Sequence, residues 1–132
     1  MINIFKKLPI YIKIYHNKIA ITNLKSDQTI SKSSVITFSS TRLLVAEFNV
    51  AEKLIRDVLK EMGIANRNLK ILIQQIDNFE NELFESEKRI LRDLAEQAGG
   101  TEVYLANRKK EMNKEEINNF LINTYAVAGI QI

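Results

Sequence analysis

Apolar and polar positions alternate between two periods along this chain, and the switches mark its elements. Ile10-Tyr11-Ile12-Lys13-Ile14 and Ile19-Ala20-Ile21-Thr22 are β-branched, aromatic-rich runs separated by the polar break His16-Asn17-Lys18. That pattern predicts a hairpin, with Asn17 able to take the turn conformation. A second polar turn, Lys25-Ser26-Asp27-Gln28, leads to Ser34-Val35-Ile36-Thr37-Phe38, which predicts a third strand.

The period then becomes helical. Val50, Leu54, Ile55, Val58, Leu59 and Met62 form one stripe, with Asn49 and Glu52 spaced as a capping box and Gly63 as the stop. Leu69-Lys70-Ile71-Leu72-Ile73 predicts a buried fourth strand. Ile90, Leu91, Leu94, Ala95 and Ala98 share a face over 87–98, and Glu102-Val103-Tyr104-Leu105 predicts the next strand. Between them stand Gly99 and Gly100. Glycines that hold phosphate lead into a helix N-terminus; these follow a helix, so Gly99 is expected as a left-handed C-cap.

A charged loop over 107–113 precedes a last helix predicted from Lys114 to Tyr125, with Ile117, Phe120, Leu121, Thr124 and Tyr125 on its face. The apolar tail Val127-Ala128-Gly129-Ile130-Gln131-Ile132 follows. The order βββαβαβα predicts an α/β (α+β) fold, a mixed sheet with helices packed on its faces. At 132 residues the chain is expected to form a single domain over 1–132, large enough to bury a core without staples.

Composition narrows the chemistry. With no cysteine, disulfides, thiolate catalysis and zinc ribbons are excluded. The net charge of +3 is spread along the chain and does not point to nucleic acid. Arg108-Lys109-Lys110 is a short triplet offset by Glu111, Glu115 and Glu116. The acidic run Asp77, Glu80, Glu82, Glu85 matches no metal-loop spacing and is expected as a solvated helix start. His16, the one histidine, is expected as a polar turn residue. No catalytic residue, metal site or cofactor is assigned, and a cytoplasmic location is expected.

Two blocks carry a resemblance. Ala46-Glu47-Phe48-Asn49-Val50-Ala51-Glu52-Lys53-Leu54 is similar to the helix entry A-D-F-x-V-T-E-K-M of MreB-type bacterial actins. Glu87-Lys88-Arg89 through Ala98-Gly99 into Glu102-Val103-Tyr104-Leu105 resembles that family's E-R-R-A-x-x-x-A-A-E-x-A-G-A-x-E-V-x-L. The likeness covers most of positions 8–106 and implies an RNase H-like, actin-like module. In that family the first hairpin carries D-x-G-T, whose aspartate organises the metal ion and whose glycine and threonine wrap phosphate. Here the matching positions are Lys13-Ile14-Tyr15-His16. A cation stands where a divalent ion wants oxygen, and a tyrosine where backbone must approach phosphate. The small second subdomain is missing between Phe38 and Glu47, V-P-x-G is replaced by Gln74-Gln75-Ile76-Asp77-Asn78, and the glycine-rich second phosphate loop has no counterpart. The resemblance therefore implies a truncated first-half domain that neither binds nor hydrolyses ATP, with Lys13, Tyr15 and His16 as a degenerate nucleotide site.

What remains is surface. Phe120, Leu121, Tyr125, Val127, Ile130 and Ile132 are expected to form an association surface for a protein partner or a second copy, unless the tail adds as a strand to its own sheet. The lead Met1–Leu8 resembles the short amphipathic segments that some bacterial actins lay on the inner face of the membrane. It would use Ile2, Ile4 and Phe5 as apolar contacts, with Lys6 and Lys7 meeting anionic lipid. The functional expectation is a non-catalytic scaffold or interaction module linked to the bacterial cytoskeleton or cell shape. The alternatives are a remnant nucleotide- or metabolite-binding domain completed by a partner subunit, and a peripheral membrane module.

Overall fold

The computed structural model describes residues 7–78, 80, 82–123 and 130–131. The elements run β1 (Leu8–Tyr15), β2 (Lys18–Asn23), β3 (Thr29–Ser33), α1 (Phe48–Glu61), β4 (Leu69–Gln75), α2 (Glu85–Gln97), β5 (Gly100–Ala106), α3 (Lys114–Asn123) and β6 (Ile130–Gln131). They form one mixed sheet in the order β3-β2-β1-β4-β5-β6. β1, β2 and β3 pair antiparallel, whereas β4 runs parallel to β1, β5 to β4 and β6 to β5. The expected mixed α/β architecture is thus present, with one strand more than the eight predicted elements.

Period-two alternation decides which face each strand residue serves. Ile10, Ile12, Ile14, Ile19, Ile21, Ile71, Ile73, Val103 and Leu105 point to one face, where α1 and α2 cover them with Leu54, Ile55, Val58, Leu59, Leu91, Leu94 and Ala95. Tyr11, Leu72, Tyr104 and Ala106 point to the other, where Met112 and α3's Ile117, Phe120 and Leu121 pack. β1 and β4 lie at the sheet centre, which explains why their runs are nearly continuous in apolar residues rather than cleanly alternating.

Both glycine stops are as expected. Gly63 follows α1 with φ of 73°, and Gly99 follows α2 with φ of 107°, its N–H donating to the Glu96 carbonyl at 3.1 Å. The start of α1 differs. The helix begins at Phe48 with Glu47 in the cap position and no side-chain cap, and Glu52 pairs with Arg56 one turn on. A reciprocal N-terminal bond occurs instead at α2, where the Glu87 carboxylate accepts the Phe84 N–H at 2.9 Å.

The third strand is also corrected: Ser34–Phe38 is not the strand, and Thr29–Ser33 is. Two devices set this register, one local and one distant in sequence. The Asn23 N–H donates to the Gln28 carbonyl at 2.8 Å, closing a turn in which Asp27 has φ of 65°, so pairing resumes at Thr22 with Thr29. Beyond Ser33, the Asn17 side-chain oxygen takes the N–H groups of Phe38 and Ser39 and draws the chain away from the ladder. Phe38 then turns fully into the core.

Candidate functional site

The three residues expected at the degenerate nucleotide position lie at the C-terminal end of β1 and in the turn after it. Lys13 and Tyr15 project from the sheet face that α3 covers farther along, because each is two positions from the next residue on that face, beginning at Tyr11. Both meet one group that arrives from the 107–113 loop. The Lys13 ammonium is 3.5 Å from a Glu111 carboxylate oxygen, and the Tyr15 hydroxyl donates to the other. Lys18 of β2 stands 4.5 Å over the Tyr15 ring, and Lys13 stands 5.5 Å from the Tyr11 ring. His16 contributes through its backbone: its N–H donates to the Asp77 carboxylate at 2.8 Å. Asp77 thus closes the β1–β2 turn onto the loop after β4 and does not serve α2.

Why Glu111 arrives there is written in Gln74. This side chain is fully buried in a central strand, and every polar atom it carries is used. Its amide nitrogen donates to the carbonyls of Arg108 at 2.9 Å and Lys110 at 2.8 Å. Its oxygen accepts the Tyr11 hydroxyl, and that hydroxyl accepts the Met112 N–H at 3.1 Å. Three backbone groups of the loop, on both sides of Glu111, are therefore fastened to the sheet.

The electrostatics follow from these contacts. Burial raises the Tyr11 hydroxyl to about 12, with the Met112 N–H opposing. Burial and the Glu111 carboxylate raise Tyr15 as well. Glu111 is held below the usual carboxylate range by the Tyr15 hydroxyl, with Lys13 adding to it and partial burial opposing. The cluster pairs the Lys13 ammonium with Glu111 under a neutral phenol, with Lys18 as a second cation held over the Tyr15 ring.

The remaining expected sites are placed as follows. Phe120 meets Tyr104 edge-on at 5.4 Å between ring centroids, and Leu121 packs on the same cluster, so the sheet takes up part of each side chain and leaves the rest half-exposed. The backbone of Ile130 pairs with Tyr104 at the β5 edge, which realises the tail-as-strand alternative. Tyr125, Val127 and Ile132 lie outside the described residues, as do Ile2, Ile4, Phe5 and Lys6. Lys7 pairs with Glu102 of β5, and Lys70 approaches the same carboxylate at 3.9 Å. Among the described residues no three acidic, histidine or cysteine side chains converge on a metal position, and no helix is long and apolar enough to cross a membrane.

Sequence reasoning missed Glu111, Gln74 and Tyr11. Glu111 counted only as a charge offsetting its basic neighbours. Gln74 carried a usable signal, a long polar side chain continuing the buried run Leu69–Ile73, since such groups are buried only with partners.

No protein-family model matches the chain, and no solved structure matches it. It is 30% identical over 100 residues to the uncharacterized protein YjaA of Escherichia coli (strain K12), a match that spans 70% of this chain and 76% of that protein.

Proposed function

The chain belongs to the family of Escherichia coli YjaA, and from its own residues we propose that it is a non-catalytic, MreB-type actin-like module that works by protein interaction or scaffolding at the bacterial cytoskeleton. The fold we propose is RNase H-like. Supporting it are an antiparallel meander whose first strand is central, and parallel strands added beside that strand after intervening helices. The two sequence blocks that resemble the actin family fall at the entry of α1 and across α2 into β5.

The observation that carries the functional reading is the pairing of Lys13 and Tyr15 with Glu111. In the resembled ATPases the position of Lys13 holds the metal-organising aspartate. Here its ammonium is spent on a carboxylate of the same chain. A triphosphate entering this place would meet the negative charge of Glu111, held on a loop that Gln74 and Tyr11 fasten at three backbone groups. Displacing it would uncover buried donors and acceptors as well. Activity is accordingly assigned to the surface of the module.

The test is thermal unfolding of the wild type and of Glu111→Ala with and without Mg²⁺-ATP. Neither protein should shift its Tm. A nucleotide-dependent rise in the wild type would overturn the reading. A rise in Glu111→Ala alone would favour the nucleotide- or metabolite-binding alternative, with Glu111 as an internal plug. The membrane alternative is tested separately by liposome sedimentation with and without residues 1–6.

A further inference from the structure

Val35 and Ile36, two β-branched residues in the stretch that the sequence marks as a strand, stand outside the sheet. Val35 is 102% exposed and Ile36 66% exposed. They follow β3 after Ser34, and β3 is the edge of the sheet, so among the described residues one side of its backbone has no neighbouring strand. Beside it, between β3 and the start of α1, is a groove of about 440 Å³ whose apolar walls include Ile36, Val50 and Leu54. The charges at its rim are already matched. Lys32 pairs with Glu61, and Lys53 pairs with Asp57 at 2.9 Å. A neutral, apolar groove next to an open strand edge suits an uncharged extended strand and gives no hold to an acidic or basic partner.

We propose that this edge binds a second copy of the chain, β3 against β3, in an antiparallel two-fold ladder centred on Ser33. The inference rests on reading the chain as an interaction module and names its partner. A two-fold axis perpendicular to a sheet keeps side chains of one face together, so residues pair with their own parity. With Ser33 on the axis, Ile30 lies opposite Ile36 of the second copy, Ser31 opposite Val35, and Lys32 opposite Ser34. Both exposed apolar residues gain cross-strand neighbours, and no like charges oppose each other. Ile30 is partly buried against the helical face of the sheet, so the Ile36 paired with it comes to lie on that same face, at the side where α1 packs. Ser34–Ile36 straightens as it joins the ladder. The β-branched residues there favour that conformation.

The chain has no cysteine, which makes the test clean. The wild type is sized by light scattering over a range of concentrations, beside Ile36→Lys. Ser33→Cys and Ser26→Cys are each oxidised and run without reductant. The expected result is a concentration-dependent dimer of the 15.2 kDa chain, a monomeric Ile36→Lys with unchanged Tm, and a covalent dimer from Ser33→Cys but not from Ser26→Cys. A wild type that stays monomeric at every concentration overturns the pairing. So does a dimer that Ile36→Lys leaves intact and Ser33→Cys fails to lock, since another surface then holds it. Titrating Mg²⁺-ATP into the same samples separates the two ideas: an ATP-driven shift of an intact dimer removes the non-catalytic reading and leaves the ladder standing.

Discussion

The Tyr11 hydroxyl donates to the side-chain oxygen of Gln74, joining two central strands on the face of the sheet that faces α3. The two joined side chains hold the loop on either side of Glu111, whose carboxylate is met directly by Lys13 and Tyr15. Gln74 spends its amide hydrogens on the carbonyls of Arg108 and Lys110, while Tyr11 receives the Met112 N–H. Truncating Gln74 therefore does more than open a cavity. It takes the Gln74 donor from the carbonyls of Arg108 and Lys110, the latter keeping only Arg108 Nε, and it takes from the Tyr11 hydroxyl its buried acceptor. Gln74→Ala should cost about 2–4 kcal/mol in urea unfolding. Amide exchange over 108–112 should accelerate more than exchange in α1 or β2. Equal acceleration across the molecule would mean that the network holds the whole fold and not the loop.

Asn17 has two roles that substitution can separate. It adopts φ of 52°, and its side-chain oxygen accepts N–H bonds from Phe38 at 2.9 Å and Ser39 at 2.8 Å. Asn17→Gly keeps the backbone conformation and loses both bonds, for about 1–3 kcal/mol. Asn17→Ala loses the bonds and adds the left-handed strain, a further ~1 kcal/mol. Chemical unfolding of both variants should rank them in that order. Equal losses would show that the turn relaxes to another backbone geometry.

These two residues also show what could be foreseen. The apolar stripes of α1 and α2 and the caps at Gly63 and Gly99 are local, and their spacing reveals them directly. The third strand is decided elsewhere: the Asn17 side chain captures Phe38 and Ser39, an event without any local pattern. Lys13, Tyr15 and His16 could be singled out only as departures from the D-x-G-T of the resembled family. Glu111, which Lys13 and Tyr15 share, sits 96 positions beyond Tyr15 and is delivered by a loop anchored on Gln74 and Tyr11. Phe120 and Leu121 were legible as apolar but their partial packing on the sheet was not, because the Tyr104 ring that receives Phe120 belongs to a strand whose facing is fixed only by its register with β4.

Gly100 and Gly63 are both glycines, for different reasons. A Cβ on Gly100 would lie 2.8 Å from the Ala95 carbonyl oxygen, 2.9 Å from Ile71 Cδ1 and 3.0 Å from Val103 Cγ2. At Gly63 nothing lies within 4 Å, and only φ of 73° opposes a side chain. Gly100→Ala should therefore cost about 1–3 kcal/mol through overpacking where α2 passes into β5. Gly63→Ala should cost ~1 kcal/mol through strain alone. Unfolding midpoints test the order, and a larger loss at Gly63 would contradict it.

Stability should fall at both ends of the pH scale, through different residues. Glu111 is held below its ordinary 4.5 by the Tyr15 hydroxyl, with partial burial opposing and Lys13 assisting. Glu116 is held down by the Asn113 N–H and by Arg108. For both, the unfolded chain binds the proton more readily than the folded one. Their contribution is thus complete above about pH 4.5 and is lost as pH falls through the lower folded values. Tyr11 and Tyr104 behave oppositely. Burial, joined at Tyr104 by Glu102, lifts each from 10.0 to about 12. Their contribution is whole below pH 10 and declines as pH rises toward 12, because unfolding then releases protons. Urea midpoints should accordingly be level between these limits and drop outside them. Glu111→Gln should flatten the acid side and Tyr11→Phe the alkaline side. An acid slope that survives Glu111→Gln unchanged would show that Glu111 does not hold its charge against Lys13 and Tyr15.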